Sequence, residues 1–154
     1  MKRRARWVLL SLLPLCGSCG ADAAMRAQGG HLASEPDARD EQVAGKKAVV
    51  VLEGLATYYS NSFAGRQTSS GEPYDPRRRT AASRDLPFGS IVRVTRRDTG
   101  AQVLVRINDR GPFGSHKRIL DLSRAAAADL GMLRAGVVKV RAEVLVLGKS
   151  GRHR

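Results

Sequence analysis

Ile91-Val92-Arg93-Val94, the turn residues Asp98-Thr99-Gly100, and Val103-Leu104-Val105-Arg106-Ile107 running on into Asn108-Asp109-Arg110-Gly111-Pro112-Phe113 form the stretch on which the fold turns. β-Branched residues recur on both sides of a Gly-containing turn, which predicts a hairpin. Gly111-Pro112 stops its second strand. Working outward, Val49-Val50-Val51-Leu52 reads as an entering strand that continues through Gly54-Leu55-Ala56-Thr57-Tyr58-Tyr59. Residues 60–87 are rich in Ser, Gly, Pro, Asn and Arg and show neither helical nor strand period, so they read as loop. Long structured loops in compact domains are usually functional. Downstream, Ile119-Leu120 makes a short apolar bridge, Ser123 caps a helix through Leu130, and Gly131 closes it. Val137, Val138, Val140, Val144 and Val146 supply the last strand or strands. Many short strands and one short helix predict a mainly β fold, a small barrel.

Three acidic positions stand beside turn-formers in this small domain: Glu72 and Asp75 in Gly71-Glu72-Pro73-Tyr74-Asp75, and Asp109 in the run ending at Phe113. Gly and Pro end elements and expose what sits beside them, so carboxylates there can face a groove. Carboxylates in a groove suggest acid/base work on a glycan.

The ends carry different information. With 154 residues there is room for one ordinary domain. Lys2, Arg3, Arg4 and Arg6, then the apolar residues 7–15, then small residues to Ala24, have the pattern of a bacterial export signal over residues 1–18. Cys16 and Cys19 are the only cysteines, so no disulfide framework is expected in the domain. Gly17-Ser18-Cys19-Gly20 resembles a lipobox, which would make Cys19 the lipidated first residue and a diacyl group the membrane tether. Gly20 is not an inner-membrane retention Asp, which favours an outer-membrane anchor if the organism has two membranes. The alternative is a plain secretory cut after Ala23. Residues 19–48 read as a lipidated N-terminus and disordered tether, 49–147 as the folded domain and 148–154 as a basic tail. The formal charge is +13, and the chain from Cys19 onward keeps +9 once the four leading cations are removed. Such an excess suits an anionic polymer. Three Tyr, three Phe and one Trp are too few for single-stranded nucleic-acid stacking, so no nucleic-acid partner is expected.

The blocks Gly54-Leu55-Ala56-Thr57-Tyr58-Tyr59, Phe63-Ala64-Gly65-Arg66-Gln67-Thr68, Gly71 to Asp75, Thr80-Ala81-Ala82-Ser83, Leu86-Pro87-Phe88-Gly89, Asn108 to Phe113 and Asp121-Leu122-Ser123, in that order, resemble the rare lipoprotein A family. The resemblance spans about residues 54–146. It implies a six-stranded double-psi β-barrel in an exported envelope lipoprotein facing the periplasm or cell wall. It also implies lytic transglycosylase action on peptidoglycan strands, preferably those stripped of stem peptides. The same barrel occurs in expansins, so the alternative is a non-catalytic glycan-binding or wall-loosening module. Two departures stand out. Ser83 occupies the place where the family usually has His, and no C-terminal sporulation-related repeat follows, so septal targeting by that route is not expected.

A lytic transglycosylase needs one acid/base, which protonates the leaving oxygen and then draws the proton from the muramyl 6-hydroxyl. With the resemblance, Asp109 is the candidate for that role. Glu72 is the second carboxylate, placed to stabilise oxocarbenium-like charge or to raise the pKa of Asp109. Substrate-binding candidates are Tyr58, Asp75, Ser83 and Arg110. Arg110 would meet a lactyl carboxylate, and Tyr58 would offer a sugar-stacking face, although alternation lets only one of Tyr58 and Tyr59 face a groove. Asp121 is expected to satisfy backbone N–H groups ahead of the helix. His31, His116 and His153 are dispersed and no cysteine remains in the domain, so neither a metal nor any other cofactor is expected.

Overall fold

The computed structural model describes Val43 and residues 45–149. The expected signal, Cys19 and its lipidation, most of the tether and residues 150–154 of the basic tail lie outside the described residues. Among the described residues no helix is long and apolar enough to cross a membrane.

Six strands close into a barrel: β1 (Val50–Tyr58), β2 (Thr80–Ala82), β3 (Ile91–Arg96), β4 (Gln102–Asp109), β5 (Arg118–Leu122) and β6 (Val138–Val146). Their order around the barrel is β1-β5-β2-β4-β3-β6, with β6 returning to β1. Two of the pairings, β1 with β5 and β2 with β4, are parallel, and the rest are antiparallel. The expected hairpin is present as β3 and β4, paired from Ile91 with Arg106 to Thr95 with Gln102. Its turn is tied by Arg96, whose guanidinium clasps both carboxylate oxygens of Asp98 while its backbone C=O accepts from Gly100 N–H. Of the closing valines, Val138, Val140, Val144 and Val146 form one strand, β6, and Val137 precedes it.

Three elements differ from the sequence expectation, the first being Asn61–Phe63, read as loop, which forms one 3-10 turn. The segment read as an apolar bridge is strand β5, and the loop-rich region contains β2, a strand of three wholly buried residues. Thr80-Ala81-Ala82 is too short to show a period and too small to look apolar. It is a strand because it is held between β4 and β5, not through propensity.

Closure turns alternate side chains into a filled interior. Val103, Val105 and Ile107 of β4 meet Val92 and Val94 of β3, Val140, Ala142 and Val144 of β6, and Leu120 and Leu122 of β5 in one apolar cluster. The barrel is therefore a packed core, not a channel. The helix α1 (Arg124–Asp129) covers one end, burying Ala126 and Ala127, and Leu130 and Met132 follow it into the core. Ser123 is its N-cap, as expected, and does more than cap. Its hydroxyl accepts from Ala126 N–H and from Thr80 N–H, so one buried oxygen joins α1 to β2. Ser123→Ala removes the cap acceptor of Ala126 N–H, while Thr80 N–H keeps the Arg78 C=O, and is expected to cost about 1–2 kcal/mol, measured by urea unfolding.

Candidate active site

Strand pairing, not a loop, places the carboxylates. Ala82 of β2 is in register with Asp109 of β4 on one side and with Asp121 of β5 on the other. Asp121 is in turn in register with Thr57 of β1. Residues in register share a face, so Asp109, Ala82, Asp121 and Thr57 form a row across four strands. Two strand spacings put the Cα atoms of Asp109 and Asp121 roughly 10 Å apart. Ala82 between them contributes only a methyl group and is itself fully buried beside the Gly111 backbone, which leaves a shallow trough flanked by the two carboxylates. Gly111 borders it with φ 143°, and a Cβ there would lie 3.6 Å from Asp121 Oδ2, 3.7 Å from Ala82 Cβ and 3.9 Å from the ring of Phe113. Glycine is required by the backbone, and it keeps the trough open.

Asp109 is half-buried and well supplied with donors. Oδ1 accepts from Ser69 N–H at 2.8 Å, the Ser69 hydroxyl at 2.7 Å and Arg110 N–H at 2.8 Å, and Oδ2 accepts from the Tyr59 hydroxyl at 2.8 Å. Burial pushes its pKa up. The hydrogen bonds from Ser69, Tyr59 and Arg110 outweigh that and hold the carboxyl below the usual carboxylate range. Tyr59 responds in the opposite sense: burial, then its hydrogen bond to Asp109, raise the phenol far above its ordinary value, and the Asp121 charge adds to the effect. Asp121 thus acts on the same phenol as Asp109. Tyr59→Phe keeps the ring and removes one donor, so Asp109 is expected to titrate at higher pH, as carboxyl-carbon NMR would show. An unmoved Asp109 would contradict the assigned hydrogen bond.

The remaining candidates occupy other places. Glu72 accepts a two-point ion pair from Arg106, at 2.9 and 2.6 Å, and a longer bond from Asn108 at 3.3 Å. The Arg106 bond, opposed in part by burial, lowers its pKa. Glu72 therefore does not raise the pKa of Asp109, and its charge is already matched. What it does is fasten the loop. The same loop sends Ser69 to Asp109 and Ser70 N–H to Asn108 C=O, so residues 68–72 are tied to the end of β4 at several points. Both carboxyls are depressed in the folded state, so each contributes stability above its unfolded pKa that is lost as pH falls through the folded one, below about pH 4.

Tyr58 is not in the trough: its hydroxyl donates to Leu133 C=O and its ring packs against the core, whereas Tyr59 reaches Asp109. Asp75 accepts from Arg77 N–H and holds a turn. Ser83 is buried, its N–H donating to Asp109 C=O and its hydroxyl accepting from Leu86 N–H, so it supports the strand end and offers no surface to a sugar. Arg110 donates to Ser83 C=O and Leu86 C=O and lies 3.7 Å over the Phe88 ring, which commits its guanidinium internally. Asp121 accepts from the Thr57 hydroxyl instead of the expected backbone groups. The sequence reading missed Ser69, left open which of Tyr58 and Tyr59 faces the site, and assigned no role to Phe63 and Phe113, which are exposed. The Phe63 ring lies 5.8 Å from that of Tyr59, and Phe113 follows Gly111-Pro112, so both rim the acid site. Their sequence signal was membership of two of the family blocks, Phe63 to Thr68 and Asn108 to Phe113.

A closed six-stranded barrel with this strand order and two parallel pairs is the double-psi β-barrel. Solved structures with TM-scores of 0.53 and 0.51 share the fold: the Streptomyces papain inhibitor, 24% identical, covering 66% of this chain and 99% of that one, and an apo expansin from Clavibacter michiganensis, 24% identical, covering 66% and 53%. The chain belongs to the Lytic transglycolase family, whose description matches residues 51–142. It is 54% identical over 92 residues to the probable endolytic peptidoglycan transglycosylase RlpA of Treponema pallidum, covering 60% of this chain and 29% of that protein. Over 140 residues it is 42% identical to the endolytic peptidoglycan transglycosylase RlpA of Neisseria meningitidis serogroup A, covering 86% and 57%. The chain thus spans between about a quarter and three-fifths of the length of these relatives.

Proposed function

We propose that the domain is an endolytic lytic transglycosylase acting at the cell wall on peptidoglycan, preferring strands without stem peptides. The observation that carries this reading is Asp109, a carboxylate at a strand end, oriented by four donors and rimmed by Tyr59, Phe63 and Phe113 in a chain of this family. Asp109 protonates the oxygen that leaves C1 of N-acetylmuramic acid. The C1–O bond breaks, the muramyl 6-hydroxyl oxygen bonds to C1, and its proton passes to Asp109. The acid is restored, no water is consumed and a 1,6-anhydromuramyl end remains. Asp121, one strand beyond Ala82, would supply the negative charge that stabilises the positive charge developing at C1. The proposed setting is a lipid anchor at Cys19 facing the wall.

The free site holds Asp109 ionised, but the first step needs its proton. Covering the trough with a sugar strengthens the burial that already pushes Asp109 up. Two pH profiles should therefore differ. The kcat/KM, which reports the free protein, is expected to rise as pH falls towards about 4, while the kcat profile, which reports the complex, has its limb at higher pH. Coincident limbs would contradict coupling between sugar burial and the proton.

Digestion of purified strands, with and without stem peptides, followed by mass spectrometry for anhydromuramyl ends tests the reading. A second reading, a glycan-binding module without turnover, is favoured by the buried Ser83, which leaves no imidazole beside the acid. Binding by folded protein with no anhydro product would select it.

A further inference from the structure

A second cleft, of about 700 Å³, opens where β1, the start of β5 and β6 meet, and neither the acid site nor the loop that holds it contributes a residue to it. Its floor is apolar. Leu55 and Val140 line it, and Gly54 cannot be replaced without disturbance, since a Cβ there would meet Ile119 Cγ2 at 2.7 Å and Lys117 C=O at 2.9 Å. Its rim is cationic. Lys117 and Lys139 stand on opposite sides, with His116 and Arg97 beside them, and neither lysine has a carboxylate partner among the described residues. The one acid in the cleft, Glu53, is shared at 3.8 Å with Arg97 and at 4.0 Å with Arg141. Two uncompensated ammonium groups over an apolar floor match a ligand with a flat hydrocarbon face and anionic substituents.

The cleft also lies in line with the acid site. Leu55 and Thr57 leave the same face of β1 two residues apart, about 7 Å, and Thr57 donates to Asp121 in the carboxylate row. A sugar polymer lying in the trough and running along β1 would reach the lysines within a few residues' length. We infer that this cleft is a binding subsite for the carboxylate-bearing muramyl residues of the same strand whose bond is cut at Asp109, with Lys117 and Lys139 pairing with their lactyl carboxylates. The inference rests on the proposed glycan substrate.

The test measures equilibrium binding of end-labelled peptide-free strands to the full chain carrying Asp109→Asn, with and without Lys117→Gln and Lys139→Gln. Thermal unfolding checks that each protein is folded. Strands with carboxyls converted to amides form a second arm, and vesicles of phosphatidylglycerol a third. The double substitution is expected to weaken binding to native strands by about fivefold to thirtyfold and to flatten its salt dependence, while amidated strands bind both proteins equally weakly. Unchanged affinity for native strands overturns the subsite, and so does an equal loss on amidated strands. Loss confined to vesicles overturns it in favour of a membrane surface. If unsubstituted protein neither binds strands nor makes anhydro ends, the proposed function itself fails and the subsite with it. Anhydro ends together with lysine-independent binding remove only the subsite.

Discussion

Asp109→Asn is expected to lower the rate of anhydromuramyl end formation by ~10² to 10⁴, the usual cost of removing an acid/base. The substitution is close to isosteric. Its carbonyl oxygen can still accept from Ser69 and Arg110 N–H, and its amide can donate to the Tyr59 oxygen, so the hydrogen-bond frame has a use for each atom. What is lost is the exchangeable proton. The decisive comparison is product yield beside strand binding and near-ultraviolet circular dichroism on the same protein. Native yield from Asp109→Asn would move the chemistry to another group.

The largest effect on stability is expected at Ile107, which is fully buried in β4 two residues before Asp109. Ile107→Ala removes three carbons from a core built from several strands, and the closed barrel allows little collapse around the gap. The expected loss is about 2–5 kcal/mol, and a domain of this size would melt roughly 10–30 °C lower. Chemical and thermal unfolding read it directly. A loss under about 1 kcal/mol would mean that the interior at β4 is loosely packed.

Legibility in the sequence followed the length of the signal. The β3–β4 hairpin showed itself because its valines and isoleucines repeat around Asp98-Thr99-Gly100, and α1 because Ser123 and Gly131 mark its two ends. β5 has five residues and β2 only three, and their strand character is imposed by neighbours that are distant in the chain. Asp109 stood out as a candidate through the family resemblance, because Gly111-Pro112 alone marks only a turn beside it. Tyr59 was half legible, since alternation allowed one tyrosine into the groove without saying which, and the ladder registers that decide it include an irregularity at Leu55 and Ala56. The role of Glu72 was not legible, because its partner Arg106 lies 34 residues away and is brought near only when the loop folds onto β4. Ser69 was invisible for the same reason, being 40 residues from the carboxylate it supports.

The row formed by Thr57, Ala82, Asp109 and Asp121 also bears on when the protein can act. Its members come from four strands spread over the middle of the chain, and two of the three contacts between them belong to parallel pairs joining strands that are not consecutive. No contiguous fragment that stops short of β5 contains the row, and no local hairpin forms it early. The proposed chemistry is therefore withheld until β5 is in place, so a nascent chain that ends before β5 lacks the row. Hydrogen exchange should report this as a single event: the amides of Asp109, Asp121 and Thr57 open together in the slowest, global class, while those in the strap at residues 68–72 open sooner.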